Sequence, residues 1–461
     1  METWYSTMNL RITAVRRSFF AFLLSIAVVS SGIAAGPRYT ERVVPAKKRQ
    51  AKKAVGRYPT QKVVYEESHD AVAPAVGLQS CSDCQPGSPC GSCTTGHSYG
   101  GCAMATCGTN CGCISIYGNV EYMLWWDNAT ELPVLVNSSP AGTDPSNVGV
   151  VGFSTPLIGG SDLDDDSIFG YRFTLGTWLG NGTTALVGQY FTTDEQDVNF
   201  QTDSIANPLL GKPFFDVLND TESSVRLGLT DEFTGSVNVD WRTETSGYGV
   251  HLRQLYRCQH NYRLDFIYGY RQLSMDETLT INSSQTDIDP GSLFNGTQTD
   301  QNDFFDVENE FHGFDFGIMG HSVDGAMTLD FVAKVALGTV NHEVTIDGSS
   351  VATPAVGAPT TITGGLLTQT SNIGTYELDE FAVVPEFTAT LGYQVTDCVD
   401  FTVGYTFLYI NRVARASSVV DRSVNLSQTT GVLTGEARPS PEIHDVEYWL
   451  QGVNFGLNFR F

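Results

Sequence analysis

The residues best suited to chemistry are ten cysteines, eight of which lie close together. These eight are Cys81, Cys84, Cys90, Cys93, Cys102, Cys107, Cys111 and Cys113. Two pairs have the Cys-x-x-Cys spacing of zinc ligands. Only five residues separate these pairs, which is short for a zinc site, and an even number of cysteines in an exported chain favours disulfides. We therefore interpret the cluster as disulfide-bonded, with zinc binding and intermolecular cross-linking as the alternatives.

Nucleophilic catalysis has one candidate string, Gly96–Gly100, which places Ser98 in a Gly-x-Ser-x-Gly pattern. This pattern forms a nucleophile elbow only on a turn from a strand to a helix, and neither element is predicted beside it. Glu310 and His312 are two residues apart and are expected on one strand face as neighbours in the interior. We interpret them as polar packing and assign no catalytic residue, so the sequence predicts a protein that is not an enzyme.

Acidic runs could bind calcium through closely spaced carboxylates. They occur at Ser161–Asp166, at Asp287–Asp289 and at Asp300–Asp303 with Asp306, all in predicted loops. None has the spacing of an EF-hand loop. We therefore expect solvated loop charge, with no cofactor and no metal site, and keep loop calcium as the alternative.

The N-terminus indicates export. Arg11, Arg16 and Arg17 precede an apolar run over Phe19–Val29 and a small-residue stretch over Ser30–Ala35, the order of a secretory signal peptide. The apolar run is too short for a membrane anchor, which needs about 20 residues. The sequence predicts a signal peptide over residues 1–35.

Charge divides the rest of the chain. Residues 37–62 hold nine basic residues and one acid, whereas residues 114–461 hold 14 basic and 45 acidic residues. We interpret residues 36–80 as a disordered basic arm, solvated or in contact with an anionic envelope polymer or lipid, and residues 81–113 as a cysteine-rich periplasmic segment. The acidic C-terminal region excludes a nucleic-acid-binding function for it.

The C-terminal region alternates apolar and small or polar residues over many segments. In Glu447–Phe461, the odd-numbered residues from Trp449 to Phe461 are mainly apolar, and the even-numbered residues from Leu450 to Arg460 are mostly small or polar. Consecutive strand residues point to opposite faces, so the two sets lie on opposite faces of a strand. The same period predicts nine further strands: Ile114–Trp126, Ser167–Leu179, Thr183–Thr193, Ser236–Arg257, Asn261–Thr280, Asn309–His321, Ala326–Thr345, Glu377–Val395 and Val399–Ser418.

Two features favour a membrane barrel over a soluble β-sandwich. The apolar rows are rich in aromatic residues, and the aromatic pair Trp125 and Trp126 fits an interfacial belt. The links between strands alternate between short and long, as in outer-membrane barrels with periplasmic turns and extracellular loops. We predict an all-β, antiparallel barrel over residues 114–461 with about ten strands, and a hairpin within Asp194–Gly235 would make twelve. Both barrel ends are then periplasmic.

Charged residues of the polar rows are the predicted lining of the lumen. They form either a salt-bridged filling or the wall of a pore. They are Glu121, Arg172, Arg253, Arg257, Arg263, Asp265, Arg271, Asp330, Lys334, Asp400 and Arg460.

Several segments resemble the putative β-barrel porins, family 7, of planctomycete bacteria. The opening Gly118–Trp126 with Leu132–Val136 and the final phrase Gln451–Phe461 are the most specific. Further similar segments are Arg263–Arg271, Asn309–Gly313, Ala336–Gly338, Val344–Gly348 and Gly404–Tyr409. The resemblance implies an outer-membrane barrel. Phe461 is similar to the terminal aromatic residue that the barrel assembly machinery recognises.

Three functions follow as hypotheses. The first is a narrow or gated outer-membrane pore for small solutes, which the family resemblance implies. The alternative is a structural or surface-display protein of the envelope, anchored by its cysteine-rich N-terminal segment, with outer-membrane lipid and cross-linked envelope proteins as the expected partners. A membrane-embedded hydrolase is the third and least supported hypothesis. About ten strands leave at most a narrow path through a barrel.

Overall fold

The computed structural model describes residues 115–460, except 129, 162, 164–166, 180, 181 and 260. The predicted signal peptide, basic arm and cysteine-rich segment lie outside the described residues, as do Ser98, His260 and Phe461. The described helices are single turns, and none of them is long and apolar enough to cross a membrane.

Strands dominate the described chain, which confirms the predicted all-β, antiparallel fold. In chain order they are β1 (Ser115–Asp127), β2 (Val136–Ser138), β3 (Thr155–Ile158), β4 (Ile168–Leu179), β5 (Thr184–Thr193), β6 (Gln196–Asp203), β7 (Leu210–Asp216), β8 (Thr221–Gly228), β9 (Phe233–Cys258), β10 (Tyr262–Asp287), β11 (Gln298–Asp324), β12 (Met327–Thr353), β13 (Thr360–Thr363), β14 (Gly374–Thr396), β15 (Val399–Val413), β16 (Ser423–Val424) and β17 (Val446–Arg460).

Ten of these strands form a closed antiparallel ring. Its order is β1, β4, β5, β9, β10, β11, β12, β14, β15 and β17. The first and last strands close it, with Cα partners running from Tyr117 and Arg460 to Asp127 and Leu450. Within residues 194–235, β6 pairs with the upper part of β9, and β7 and β8 form a hairpin in another sheet, so none of them joins the ring.

The ring has a tall wall and a short wall. Strands β9 to β12 and β14 are 23 to 27 residues long, whereas the other five ring strands have 10 to 15 residues. A strand crosses a bilayer in about 9–11 residues. The tall wall therefore extends well past a membrane on the side opposite the short turns.

The tall strands are longer than the sequence predicted. The segments expected as loops around Asp287 and Asp300 are mostly strand, and only residues 288–297 connect β10 to β11. The predicted strand ends lie where apolar residues stop facing outward, and the strands of the structure continue beyond these positions.

The face that carries apolar residues changes along each tall strand. In the lower part of β10, near the short turns, Phe266 and Tyr270 face outward and are exposed, while Arg271 is buried inside. In its upper part Leu279 and Ile281 are buried inside. The outward residues at the upper level are polar, so the lower part has the pattern of a membrane-facing wall and the upper part that of a soluble protein.

The long connections fold into a second sheet at the upper end. Its five strands are β16, β7, β2 and β3 in order, with β8 beside β7. Leu210 and Phe214 of this sheet join one apolar cluster with Leu279 and Phe305 of the tall wall. The connections are therefore an ordered cap that shares one apolar core with the tall wall.

Candidate functional site

A charged chamber occupies the lower part of the ring. The cavity measures about 480 Å³ and is lined by residues of all ten ring strands. Gln259, Asn261 and Val323, which lie at or beside the short turns, are part of its lining. The chamber therefore reaches the rim that carries the short turns.

A belt of ion pairs forms the inner end of this chamber. Glu386 pairs with Arg271 and, at 3.2 Å, with Lys334. Asp315 Oδ2 lies at hydrogen-bond distance, 2.7 Å, from His251 Nε2. The same oxygen lies 3.3 Å from Arg271 Nε. All these side chains are at least nine-tenths buried.

The same belt includes a pair from the opposite wall. Arg172 Nε donates to Glu121 Oε2 at 2.5 Å, and its Nη2 donates to Thr406 at 3.2 Å. Removing charges from water is costly unless they are paired and hydrogen-bonded. The alternating signs around the ring satisfy that requirement for most of the belt.

Nearer the rim, one carboxylate organises two arginines. Asp265 accepts from Arg253 at 2.5 Å and from Arg263 at 2.8 Å. The two guanidinium groups lie 4.9 and 4.1 Å from the ring centroid of Trp178, a cation–π arrangement. One terminal nitrogen of each arginine is buried and has no hydrogen-bond partner among the described residues.

The predicted lumen residues are placed as follows. Glu121, Arg172, Arg253, Arg263, Asp265, Arg271, Lys334 and Asp400 are buried inside the ring. Asp330 pairs with His321 at 2.6 Å, and Arg460 pairs with Asp400 at 2.5 Å, both at the rim.

Arg257 requires a correction because it is exposed. The register between β9 and β10 shifts at Leu264 and Asp265, whose partners are Arg257 and Leu255. This bulge inserts one residue, and an inserted residue reverses which side chains face the interior. The sequence shows the alternation of β9 but not the bulge that ends it.

An apolar layer lies inside the ring above the belt. It consists of Met123, Trp125, Ile168, Leu273, Met275, Phe311, Ala336, Val340, Ala382, Val384, Leu408, Ile410, Val413, Tyr448 and Leu450, with Phe191 and Val446 packed against it. These residues come from nine ring strands. The tenth, β9, contributes Thr245, which hydrogen-bonds Tyr448 at 3.0 Å.

Close packing in the layer depends on a glycine of β9. A Cβ atom at Gly247 would lie 2.5 Å from Leu273 and 2.8 Å from Phe191, which is too close for real side chains. The absence of a side chain lets these two residues meet next to the β9 backbone. The layer therefore spans the cross-section of the ring.

Trp125 and Trp126 do not form a pair in one belt. Trp125 faces inward, is 1% exposed and donates to Asn454 Oδ1 at 2.6 Å, whereas Trp126 faces outward. Consecutive strand residues point to opposite faces. Only Trp126 can take the interfacial position that the sequence suggested for both.

Glu310 and His312 are also corrected, because both lie on the outer surface. His312 Nδ1 lies 2.6 Å from the Tyr270 hydroxyl and its Nε2 lies 3.2 Å from Glu310. They are exposed and lie just above the apolar outer band. They are not interior neighbours and do not face the chamber.

The acidic runs have mixed positions. Asp162 and residues 164–166 lie outside the described residues. Asp287 and Asp289 accept hydrogen bonds within their own turn. Asp303 is a buried strand residue that pairs with Lys212 at 3.5 Å and accepts from Thr368, so the run from Asp300 to Asp306 is not a loop cluster.

Comparison with solved structures includes two outer-membrane-related proteins at low similarity. The outer membrane protease OmpT from Escherichia coli is 11% identical, with a TM-score of 0.37, covering 75% of this chain and 97% of that one. A FadL homologue from Pseudomonas aeruginosa is 8% identical, with a TM-score of 0.24, covering 76% of this chain and 90% of that one. Comparison with curated proteins gives no match. The family model described as "Putative beta barrel porin-7" matches residues 117–461, and the chain belongs to that family.

Proposed function

We propose that the protein is a non-enzymatic outer-membrane pore for small polar solutes that is closed at rest. The observation that carries the proposal is the apolar layer, to which eight ring strands contribute buried side chains, β5 the half-buried Phe191, and β9 a hydrogen bond. Water and ions enter a narrow apolar constriction poorly, which is how hydrophobic gates close channels. The charged chamber then serves as a vestibule that opens at the rim with the short turns.

The location in the outer membrane is supported by the outer surface of the ring. Its exposed side chains in the lower part include Phe173, Leu175, Phe266, Phe316 and Leu391. The short turns lie at one end and the long, folded connections at the other, the asymmetry of outer-membrane barrels. We infer that the short turns are periplasmic and the cap extracellular.

Conductance of the full chain in planar bilayers tests the closure. We expect no large steady conductance from the natural protein. The double variant Leu273→Ala with Phe311→Ala removes two large side chains from the layer and should produce a steady current. The matched control, Phe314→Ala with Leu337→Ala, makes similar deletions on the outward face and should leave the barrel closed.

The outcomes are separable. A large steady conductance of the natural protein would refute closure by the apolar layer. In the conducting double variant, adding Arg263→Ala with Arg271→Ala should shift selectivity towards cations, because two positive charges leave the path. A folded double variant without any current would favour the structural alternative.

That alternative, a structural envelope protein anchored by its cysteine-rich N-terminal segment, draws on a separate observation. Cys258 and Cys398, at the rim with the short turns, are both disulfide-bonded. Their turns are separated in the ring by β10, β11, β12 and β14, and neighbouring strands lie about 4.8 Å apart, whereas bonded cysteines need Cα atoms within about 7 Å. We expect peptide mapping without reduction to show partners within Cys81–Cys113, and a Cys258–Cys398 peptide would contradict this.

A further inference from the structure

Three potential metal ligands meet above the apolar layer. His342 of β12, Glu380 of β14 and Asp445, which directly precedes β17, bring their ligand atoms within 4.8 Å of one another. Nε2 of His342 lies 3.6 Å from Asp445 Oδ1. The His342 side chain is fully buried, and that of Asp445 is 23% exposed.

Hydrogen bonds of Asn309 identify the tautomer of His342. Asn309 Nδ2 donates to the carbonyl oxygens of Met275 and Ala414, and its Oδ1 accepts from the Ala414 amide at 2.7 Å. The oxygen of this amide therefore faces His342 Nδ1, 2.7 Å away. Since an oxygen can only accept, Nδ1 carries the hydrogen and Nε2 of the neutral ring carries a lone pair.

That lone pair has no hydrogen-bond partner among the described residues. Nε2 is buried and points towards the Asp445 carboxylate. A lone pair facing a carboxylate oxygen is unfavourable unless a positive charge lies between them. An outer-shell acceptor that fixes Nδ1–H, as Asn309 does here, is the usual arrangement around histidines that bind metals through the other nitrogen.

We propose that His342, Glu380 and Asp445 bind a divalent transition-metal ion of the Zn²⁺ class. One imidazole nitrogen and two carboxylate oxygens form a donor set suited to Zn²⁺ rather than to Ca²⁺ or Mg²⁺, which require mostly oxygen ligands. Three protein ligands leave a coordination position for water. This inference is independent of whether the barrel conducts.

Arg412 is the group that competes with the ion. Its Nη1 pairs with Glu380 and lies 3.5 Å from Asp445 Oδ2. The Arg412 side chain is 42% exposed, so it can turn outward into solvent when an ion takes its place. A bound ion would replace one positive charge by two at the same carboxylates.

A proton is the other competing occupant. Burial and the hydrogen bond with Glu380 raise the pKa of Asp445 to about 7. The site can thus be partly neutralised without metal, and only a binding measurement distinguishes the two.

The test is titration of the purified, folded full chain with Zn²⁺ alone, followed by calorimetry and by metal analysis after gel filtration. The eight N-terminal cysteines are present in every variant, so their contribution cancels in the comparison. We expect His342→Gln and Asp445→Asn each to bind one Zn²⁺ fewer than the natural protein. The control His444→Gln changes an exposed histidine of the same loop and should bind as the natural protein does.

Arg412→Gln gives a readout that a merely structural ion pair would not. Removal of the competing cation should tighten binding at this site by at least about tenfold, because a positive charge within about 4 Å of the same carboxylates no longer repels the ion. Folding of each variant is verified by heat-modifiable gel migration. If His342→Gln does not fold, the loop variant Asp445→Asn alone tests the loss of one Zn²⁺. Equal Zn²⁺ stoichiometry in the natural protein and in folded Asp445→Asn, or weaker binding by Arg412→Gln, would overturn the proposal.

Discussion

The lower and upper halves of the barrel solve opposite packing problems with the same strands. In lower β10, Arg263, Asp265 and Arg271 are buried inside, and aromatic residues face out. In upper β10, Leu279 and Ile281 are buried inside, and the outward residues are polar. The strand β10 is continuous through both halves. Only the types of residue that face inward and outward are exchanged between them.

This difference shows where the hydrophobic effect acts. In the lower half, lipid accepts the apolar side chains, and charges gather inside, where they must satisfy one another. In the upper half, water surrounds the wall, and the apolar side chains pack against the cap sheet as in a soluble domain. The apolar layer is the level at which the interior changes from the first arrangement to the second.

The largest expected effect is in the charged lower half. Glu386→Ala leaves Arg271 and Lys334 without their shared carboxylate in a buried place. Removing one partner of a buried ion pair lowers the free energy of unfolding by about 3–5 kcal/mol. Urea titration of the barrel in lipid vesicles measures this loss. Asp240→Ala breaks an exposed pair with Arg242 and should have no measurable effect. Equal losses in the two variants would contradict the comparison.

The next effect is in the upper apolar core. Leu279 is fully buried in the cluster shared with the cap, and Leu279→Ala should cost about 2–5 kcal/mol because it leaves a cavity. Leu175 of the lower half faces outward and is 65% exposed. Leu175→Ala should cost far less, since lipid fills the space, and the same urea titration compares the two.

A charged residue on the outer surface locates the boundary between the halves. Phe173 lies near the middle of the apolar outer band, and Phe173→Arg should destabilise the barrel by about 2–4 kcal/mol. Thr280 faces outward on upper β10, and Thr280→Arg should change stability by less than about 0.5 kcal/mol. A large cost at Thr280 would mean that the membrane reaches much higher than the residue pattern indicates.

The smallest effect is in the connection between β15 and β17. Asp421 accepts from the amides of Ser423 and Ser440 and from Arg438. Burial opposes ionisation, but these hydrogen bonds lower the pKa of Asp421 below its ordinary value. At pH 6, Asp421→Asn should lower the local stability of this connection by roughly 1–2 kcal/mol. The rate of proteolytic cleavage within residues 414–445 measures this change.

The pH dependence of this effect has a fixed sign. A lowered folded-state pKa gives stability that is present above the ordinary aspartate value of about 4 and is lost as pH falls through the folded-state value. The difference between the natural protein and Asp421→Asn should therefore shrink below pH 4. A difference that grows on acidification would contradict the assigned hydrogen bonds.

Much of the barrel wall was predictable because lipid-facing strands have a simple rule. Outward apolar residues such as Phe401, Val403 and Tyr405 alternate with small inward residues, and period-two patterns specify the face directly. The same rule placed Arg172, Arg263 and Arg271 on the inward side. The rule predicted strand ends that are too early for the tall strands, because above the layer the apolar residues face inward instead of outward.

The sequence by itself determined the antiparallel strands and their membrane-facing sides, since both depend on local alternation and on short turns. Tertiary structure decided which charges pair, where a bulge turns Arg257 outward, and how Trp125, Leu273 and Phe311 come together in one apolar cluster inside the ring. It also brought His342, Glu380 and Asp445 together from three separate segments. These features depend on the register of strands far apart in the chain, and no local pattern carries that information.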